Sequence, residues 1–287
     1  MAGAFTFIGF GEAGAAFALP GTIAYDLKTR VAATRDAKLA DYAAAGVTGA
    51  ATACEALAGA EVVLSLVTAD QALAAAEAYA AHLRPGTLFL DMNSVAPSTK
   101  HAANRAVSAA GAHYVDVAVM SPVLPARLGV PLLVAGEHAA AAEASLRAYG
   151  FSNVTVVGSR IGDASAIKMI RSVMVKGMEA LTAECLLAAH RAGVTDAVLA
   201  SLNASREQPD WTARADYNLD RMLVHGVRRA AEMEEAARTL EDLGVEPALT
   251  RGTIARQREL GNLGLRPAAG LAAKLDQIDP ARAEKAA

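Results

Sequence analysis

The chain has 287 residues, 53% hydrophobic, 20% charged and 5% aromatic, with 27 basic against 30 acidic side chains and a formal net charge of −3. That hydrophobic content and near balance of charge exclude a disordered chain and leave no basic footprint for nucleic acid. No run approaches the ~18 apolar residues of a membrane span, and Ala4 to Phe10 lacks the basic leader of a secretory signal, so no membrane partner is expected and the cytoplasm is the expected compartment.

The first apolar run, AFTFIGF, reads as a strand that passes directly into Gly9-Phe10-Gly11-Glu12-Ala13-Gly14 and then into a short helical stretch, Ala15 to Leu19, cut by Pro20-Gly21. A GxGxxG between a strand and a helix has a mechanism. The first glycine permits the tight turn, the second lets the backbone approach a pyrophosphate, the third allows close helix packing, and the helix N-terminus faces the phosphates. The next strand, TIAYD, ends in Asp26, near the ~20-residue spacing of an acid that accepts ribose hydroxyls. A carboxylate there repels a 2′-phosphate, so NAD is the expected cofactor. Lys28 and Arg30 keep NADP as the alternative.

Further strands follow in EVVLSLV, TLFLD, HYVDVAV, PLLVAG and NVTVVG, separated by alanine-rich helical stretches and punctuated by Pro85-Gly86, Gly111, Gly129 and Gly150. This is the βαβ rhythm of a parallel sheet covered on both faces, a Rossmann-type α/β domain over residues 1–160. Val67 and Thr68, where EVVLSLV ends, and Asn93, just past TLFLD, lie at carboxyl ends of strands, where ligands bind in open α/β sheets, and join the cofactor-binding set. Past Gly158 the pattern turns helical, and residues 161–287 read as an all-helical domain for substrate and dimerisation. A long helix runs from Asp163 to Ala192 and another from Arg221 to Leu243; Asn203 to Ala215, with Pro209, reads as a break, and the tail from Pro280 as frayed. Cys54 and Cys185 stand far apart with no CxxC, so neither a disulfide framework nor a metal site is expected.

In the first long helix Lys168, Arg171, Ser172 and Lys176 fall at helical spacing and form one polar stripe on an otherwise apolar helix. Such a stripe is expected to face a cleft rather than bulk water. Partial desolvation and the neighbouring cations Arg171 and Lys176 then make Lys168 a usable proton acceptor near neutrality. In the second long helix His225, Arg228 and Arg229 share a face, and Trp211 and Tyr217 bring aromatic surface to the same domain.

Taken together, the glycine loop, Asp91-Met92-Asn93-Ser94 followed by Pro97, Asp116-Val117-Ala118-Val119-Met120-Ser121-Pro122, and Gly162-Asp163-Ala164-Ser165-Ala166-Ile167-Lys168 resemble the β-hydroxyacid dehydrogenase family, which includes 3-hydroxyisobutyrate and 6-phosphogluconate dehydrogenases. The resemblance covers nearly the whole chain. It implies a Rossmann domain, a helical domain, a homodimer with the active site between domains, a small-molecule substrate, and Lys168 with Ser172 as catalytic residues. Met120, Ser121 and Pro122 stand where the family binds substrate, and with Arg171, Lys176 and His225, read from the helix faces, they make up the expected substrate-binding set. Two positions depart from the family pattern. Met120-Ser121-Pro122 replaces a Ser-Gly-Gly loop that binds the substrate carboxylate, and Ser172 replaces an Asn. Both fall on substrate recognition, so a simple short 3-hydroxy acid in the usual pose is not expected. An NAD(P)-dependent oxidoreductase is the leading expectation. A lyase that releases formaldehyde from a β-hydroxymethyl substrate by retro-aldol cleavage, and a non-catalytic dinucleotide-binding protein, are the alternatives.

Overall fold

A computed structural model describes residues 5–204, 210–244 and 246–286, apart from the side chains of 184, 185, 188 and 280–286, so Cys185 and Pro209 lie outside the description. The chain forms two compact units, Met1–Met169 and Ile170–Ala287.

The first unit alternates β1 (Phe5–Ile8), α1 (Glu12–Phe17), β2 (Ile23–Tyr25), α2 (Ala32–Ala45), β3 (Thr48–Gly49), α3 (Ala53–Leu57), β4 (Val62–Ser65), α4 (Ala72–Ala80), β5 (Leu88–Asp91), α5 (Pro97–Ala109), β6 (His113–Val119), β7 (Leu132–Ala135), α6 (Ala139–Tyr149) and β8 (Val154–Gly158). The strands make one eight-stranded sheet in the order β3-β2-β1-β4-β5-β6-β7-β8. Strand side chains alternate between faces, so each face needs its own apolar cover. Phe7, Leu64, Leu90 and Val115 lie in register and enter one core; on the other face Val63, Phe89 and Tyr114 enter a second. The next row toward the carboxyl ends is different: Ile8, Ser65, Asp91 and Asp116 are mutual partners across β1, β4, β5 and β6.

Two features differ from a parallel sheet built on the apolar runs alone. The two-residue β3 extends it at one edge, too short to be marked by any apolar run. On the other side β6 and β7 pair antiparallel. The segment between them contains only a single helical turn, Arg127–Gly129, and lacks the crossover helix that a parallel return requires.

Helix α7 (Asp163–Arg191) begins in the first unit and continues into the second, which adds α8 (Thr195–Ala204), α9 (Trp211–Asp242), α10 (Ala248–Gly261) and α11 (Leu271–Ala286). The expected break over residues 203–215 is narrower than the sequence suggested. Asp210 caps α9 by accepting hydrogen bonds from the Thr212 and Ala213 amides at 2.9 and 3.1 Å, so the helix starts at Trp211 and not Arg221. The backbone beyond Pro280 is likewise helical rather than frayed. Among the described residues no helix is long and apolar enough to cross a membrane.

Helices α9 and α10 meet backbone to backbone. A Cβ added to Gly226 would stand 2.2 Å from the Gln257 carbonyl oxygen, and one added to Gly261 would stand 2.4 Å from the Val227 nitrogen. Neither neighbour is a side chain that can swing away. Gly226→Ala is therefore expected to lower stability by about 1–3 kcal/mol or more, despite alanine's better helix propensity. Thermal unfolding followed by circular dichroism checks this, and an unchanged or raised Tm would contradict it.

Candidate active site

Strands β1, β2, β4, β5 and β6 run parallel, so the residues that follow them gather at one edge of the sheet. The glycine loop begins there. Gly9 has φ +86°, and a Cβ on it would lie 2.6 Å from the Leu66 carbonyl oxygen, so both conformation and space require glycine. Gly14 is pressed against the Phe10 ring, with 3.0 Å left for a Cβ. Gly11 is the N-cap of α1, offers no side-chain cap, and a Cβ placed on it would meet nothing within 4 Å. Glu12 and Ala13 open the first turn beside it.

Phe10 holds this loop in place. Its amide donates to Asp26 Oδ2 at 2.8 Å, its carbonyl accepts from Lys38 Nζ at 2.6 Å, and its ring packs edge-on against Tyr42. Asp26 Oδ1 accepts from the Lys28 amide at 2.9 Å, which fixes the carboxylate at the end of β2 while leaving each oxygen further lone-pair capacity. Lys28 and Arg30 are exposed. Lys38 and Phe10 were missed by sequence reasoning; the available signal was a lysine on the face of α2 that also buries Tyr42.

Val67 is half-buried and Thr68 exposed just beyond β4. Past β5, Asn93 is buried, with its Nδ2 donating to Ser65 Oγ at 3.0 Å and to Asp91 Oδ1 at 2.7 Å. Because a carboxylate only accepts, the amide orientation is determined, and Asn93 Oδ1 is left buried without a hydrogen-bond partner. A buried orphan acceptor calls for a donor from outside the chain. The next residue, Ser94, accepts a short hydrogen bond from Lys168 Nζ on α7. An open N-cap glycine, a ribose-spaced carboxylate and an orphan acceptor along one edge fit a dinucleotide: Gly11 to Gly14 could hold its phosphates, Asp26 a ribose and Asn93 the nicotinamide half.

The expected polar stripe on α7 divides. Ser172 and Lys176 are buried, whereas Arg171 is exposed. The face that α7 leaves open is the apolar one, carrying Ile170, Met174, Met178 and Leu181, which inverts the expectation that the apolar faces are buried and the polar stripe looks into a cleft. Within the helical unit, Lys176 Nζ lies 3.0 Å from Glu232 Oε2 and donates to Ser172 Oγ at 3.3 Å; burial lowers the Lys176 pKa, against the opposing pull of Glu232. Arg229 is buried against Glu179, to which Gln257 also donates at 3.0 Å. Arg228 is exposed on Glu232 and His225 is half-buried, so these three do not present one common surface. Met120 is half-buried, and Ser121 and Pro122 are exposed, with Ser121 Oγ turned to the Pro122 carbonyl at 3.3 Å.

The profile of the NAD binding domain of 6-phosphogluconate dehydrogenase matches residues 4–158. The chain belongs to the 6-phosphogluconate dehydrogenase-like β-hydroxyacid dehydrogenase family. Residues 189–260 match a domain of unknown function, DUF1932. The chain is 37% identical to a conserved hypothetical protein from Sinorhizobium meliloti 1021, with 98% of this chain and 97% of that one covered at a TM-score of 0.75. A second solved relative, a conserved protein of unknown function described as structurally similar to 3-hydroxyacid dehydrogenases, is 28% identical over 98% of both chains at a TM-score of 0.68. The 3-hydroxyisobutyrate dehydrogenase of Mycobacterium tuberculosis shares the fold, with a TM-score of 0.73 at 16% identity over 98% of this chain and all of that one. Within this family the protein is an NAD(P)-binding, 3-hydroxyacid dehydrogenase-like oxidoreductase.

The space at Gly11 separates fold from binding. Gly11→Ala is expected to fold with wild-type Tm, since its methyl group meets no atom of the chain, yet to weaken NAD(H) at least about tenfold by keeping phosphate from the backbone, a loss of ~1.4 kcal/mol. Calorimetric titration checks this, and unchanged affinity would place the phosphates elsewhere.

Proposed function

We propose that the protein is an NAD-linked dehydrogenase or reductase that acts on a hydroxyl or carbonyl carbon, with Lys168 carrying the hydroxyl proton. The observation that carries this reading is the Lys168–Ser94 hydrogen bond, which puts the amine next to Asn93 on the edge that begins with the glycine loop. Bound NAD(P) supplies the hydride acceptor, or the donor in reduction. In oxidation the neutral Lys168 amine accepts the substrate's hydroxyl proton, and Ser94 Oγ accepts a hydrogen bond from the ammonium that forms. In reduction the same ammonium returns the proton. Ser172 acts through Lys176, which it helps to hold. Because Lys176 and Arg229 already face carboxylates, neither is a bare cation for a substrate carboxylate, which supports a substrate other than a simple short 3-hydroxy acid.

Lys168→Ala is expected to lose at least ~100-fold in kcat with nucleotide affinity nearly unchanged, and Lys168→Arg to be nearly as poor, because guanidinium cannot accept the proton. A panel of hydroxy acids and β-hydroxymethyl compounds, read for nicotinamide absorbance and released aldehyde together, supplies the assay. Aldehyde without absorbance change would replace this reading by the lyase. A Lys168→Ala enzyme with half the wild-type rate would remove the lysine from the mechanism.

Asp26 supports NAD over NADP, since its carboxylate, held just past β2 by the Phe10 and Lys28 amides, would accept ribose hydroxyls and repel a 2′-phosphate. Calorimetry is expected to give NAD the lower Kd by about tenfold or more. Tighter NADP would mean that Lys28 and Arg30 govern the choice.

The open face of α7, with Met174 66% and Leu181 65% exposed, supports a homodimer, because a contiguous apolar strip of this kind marks an interface. Light scattering at micromolar concentration is expected to return twice the chain mass of 29.4 kDa, and a monomer mass would contradict it.

A further inference from the structure

Lys100 is fully buried on the inner face of α5, beside Ala103 and Val107. Its Nζ donates to the Asp91 carbonyl at 2.6 Å and lies 3.1 Å from Asp91 Oδ1 and 3.4 Å from Asp116 Oδ1. Both carboxylates are also fully buried, and they are direct cross-strand partners on β5 and β6. Like charges in that arrangement repel, and in the interior they persist only with a cation between them.

Each carboxylate also accepts hydrogen bonds on one side of the Lys168–Ser94 contact, while Asp116 Oδ1 faces Lys100 as an ion pair without a hydrogen bond. Asp91 Oδ1 accepts from the Asn93 amide at 2.9 Å and from Asn93 Nδ2 at 2.7 Å, while Oδ2 accepts from Tyr114 OH at 2.6 Å, which shapes the turn carrying Ser94. Asp116 Oδ2 accepts from the amides of Gly162 and Ser165 at 3.1 and 3.0 Å, so a strand residue caps the first turn of α7, and Lys168 follows Ser165 by one turn. Gly162, at φ +100°, is packed on the first turn of α5, with 3.1 Å for a Cβ to Pro97. The turn that bears Ser94 and the helix that bears Lys168 are therefore tied to two aspartates that share one lysine.

We propose that Lys100, through Asp91 and Asp116, is the positioning residue that sets the Lys168–Ser94 pair. It touches neither member of that pair. The proposal rests on the reading of Lys168 as the proton carrier only for its consequence in catalysis; the positioning itself is a property of the folded chain.

The test measures acylation of individual lysines by acetic anhydride, read by peptide mass spectrometry on the full-length protein. Asp116→Asn keeps the side-chain volume but removes the charge that holds the Gly162 and Ser165 amides, and Lys100→Met removes the shared cation. In either variant Lys168 is expected to acylate at least about tenfold faster, matching the release of one hydrogen bond of ~1.4 kcal/mol, while exposed Lys28 keeps its rate. Ser94→Ala is expected to give the same acceleration. In the Ser94→Ala background, Asp116→Asn is expected to add nothing further, the non-additivity of groups that act through one contact. An unchanged Lys168 rate in folded Asp116→Asn, or equal acceleration with and without Ser94, overturns the proposal. Should Lys100→Met fail to fold, Asp116→Asn alone decides. Where an assay exists, Asp116→Asn is expected to lower kcat with KM unchanged. Full activity of Lys168→Ala would overturn the catalytic reading and leave the labelling result standing.

Discussion

Two aspartates side by side in the middle of a sheet are a problem that the rest of the first unit is arranged to solve. Asp91 and Asp116 occupy a row that on β1 holds Ile8, in strands that carry no other Asp, Glu, Lys or Arg. Lys100, Tyr114, the Asn93 amide and the first amides of α7 all converge on them. A buried ion cluster of this kind is a weak source of net stability, because desolvation consumes much of the Coulombic gain. What it confers here is geometry, since every donor must come from a particular direction and so each attached segment has one acceptable position.

The nucleotide end of the same edge uses the opposite strategy. At Gly9 and Gly14 packing leaves little or no room for a side chain, at Gly11 the space is open, and the loop is shaped by its backbone, gripped through Phe10 by Asp26 and Lys38. Absence of atoms at given positions is a strict sequence constraint, and spacing alone reveals it. Placement of charge by long-range contacts leaves no such spacing.

This difference explains how much was legible in the sequence. The strands, their alternation and the glycine loop were readable because each is local, and the five strands β1, β2, β4, β5 and β6 fall where apolar runs predict them. The direction of β7 was not readable, because strand polarity depends on what the preceding connection contains and not on the strand's own residues. The pattern of α7 showed which residues share a face but not which face is turned inward; Glu232 and Arg229 on α9, which pair with Lys176 and Glu179 of α7, draw the polar side in. Lys100 lay unnoticed for a related reason. Its signal was indirect, the aspartates of LFLD and YVDVAV in strands that otherwise carry no charge, which demand a counter-ion without saying where in the chain it resides.

The contact of α9 with α10 limits what the helical unit can become. Where Gly226 and Gly261 bring two main chains together with no side chain between them, there are no rotamers to adjust and no volume to trade. Sliding or rolling one helix on the other would drive carbonyls and amides into each other, so the pair behaves as a single stiff slab. Change in this unit is thereby channelled away from α9–α10 geometry and toward the side chains and loops that the slab carries, a restriction on evolutionary routes imposed by two missing methyl groups.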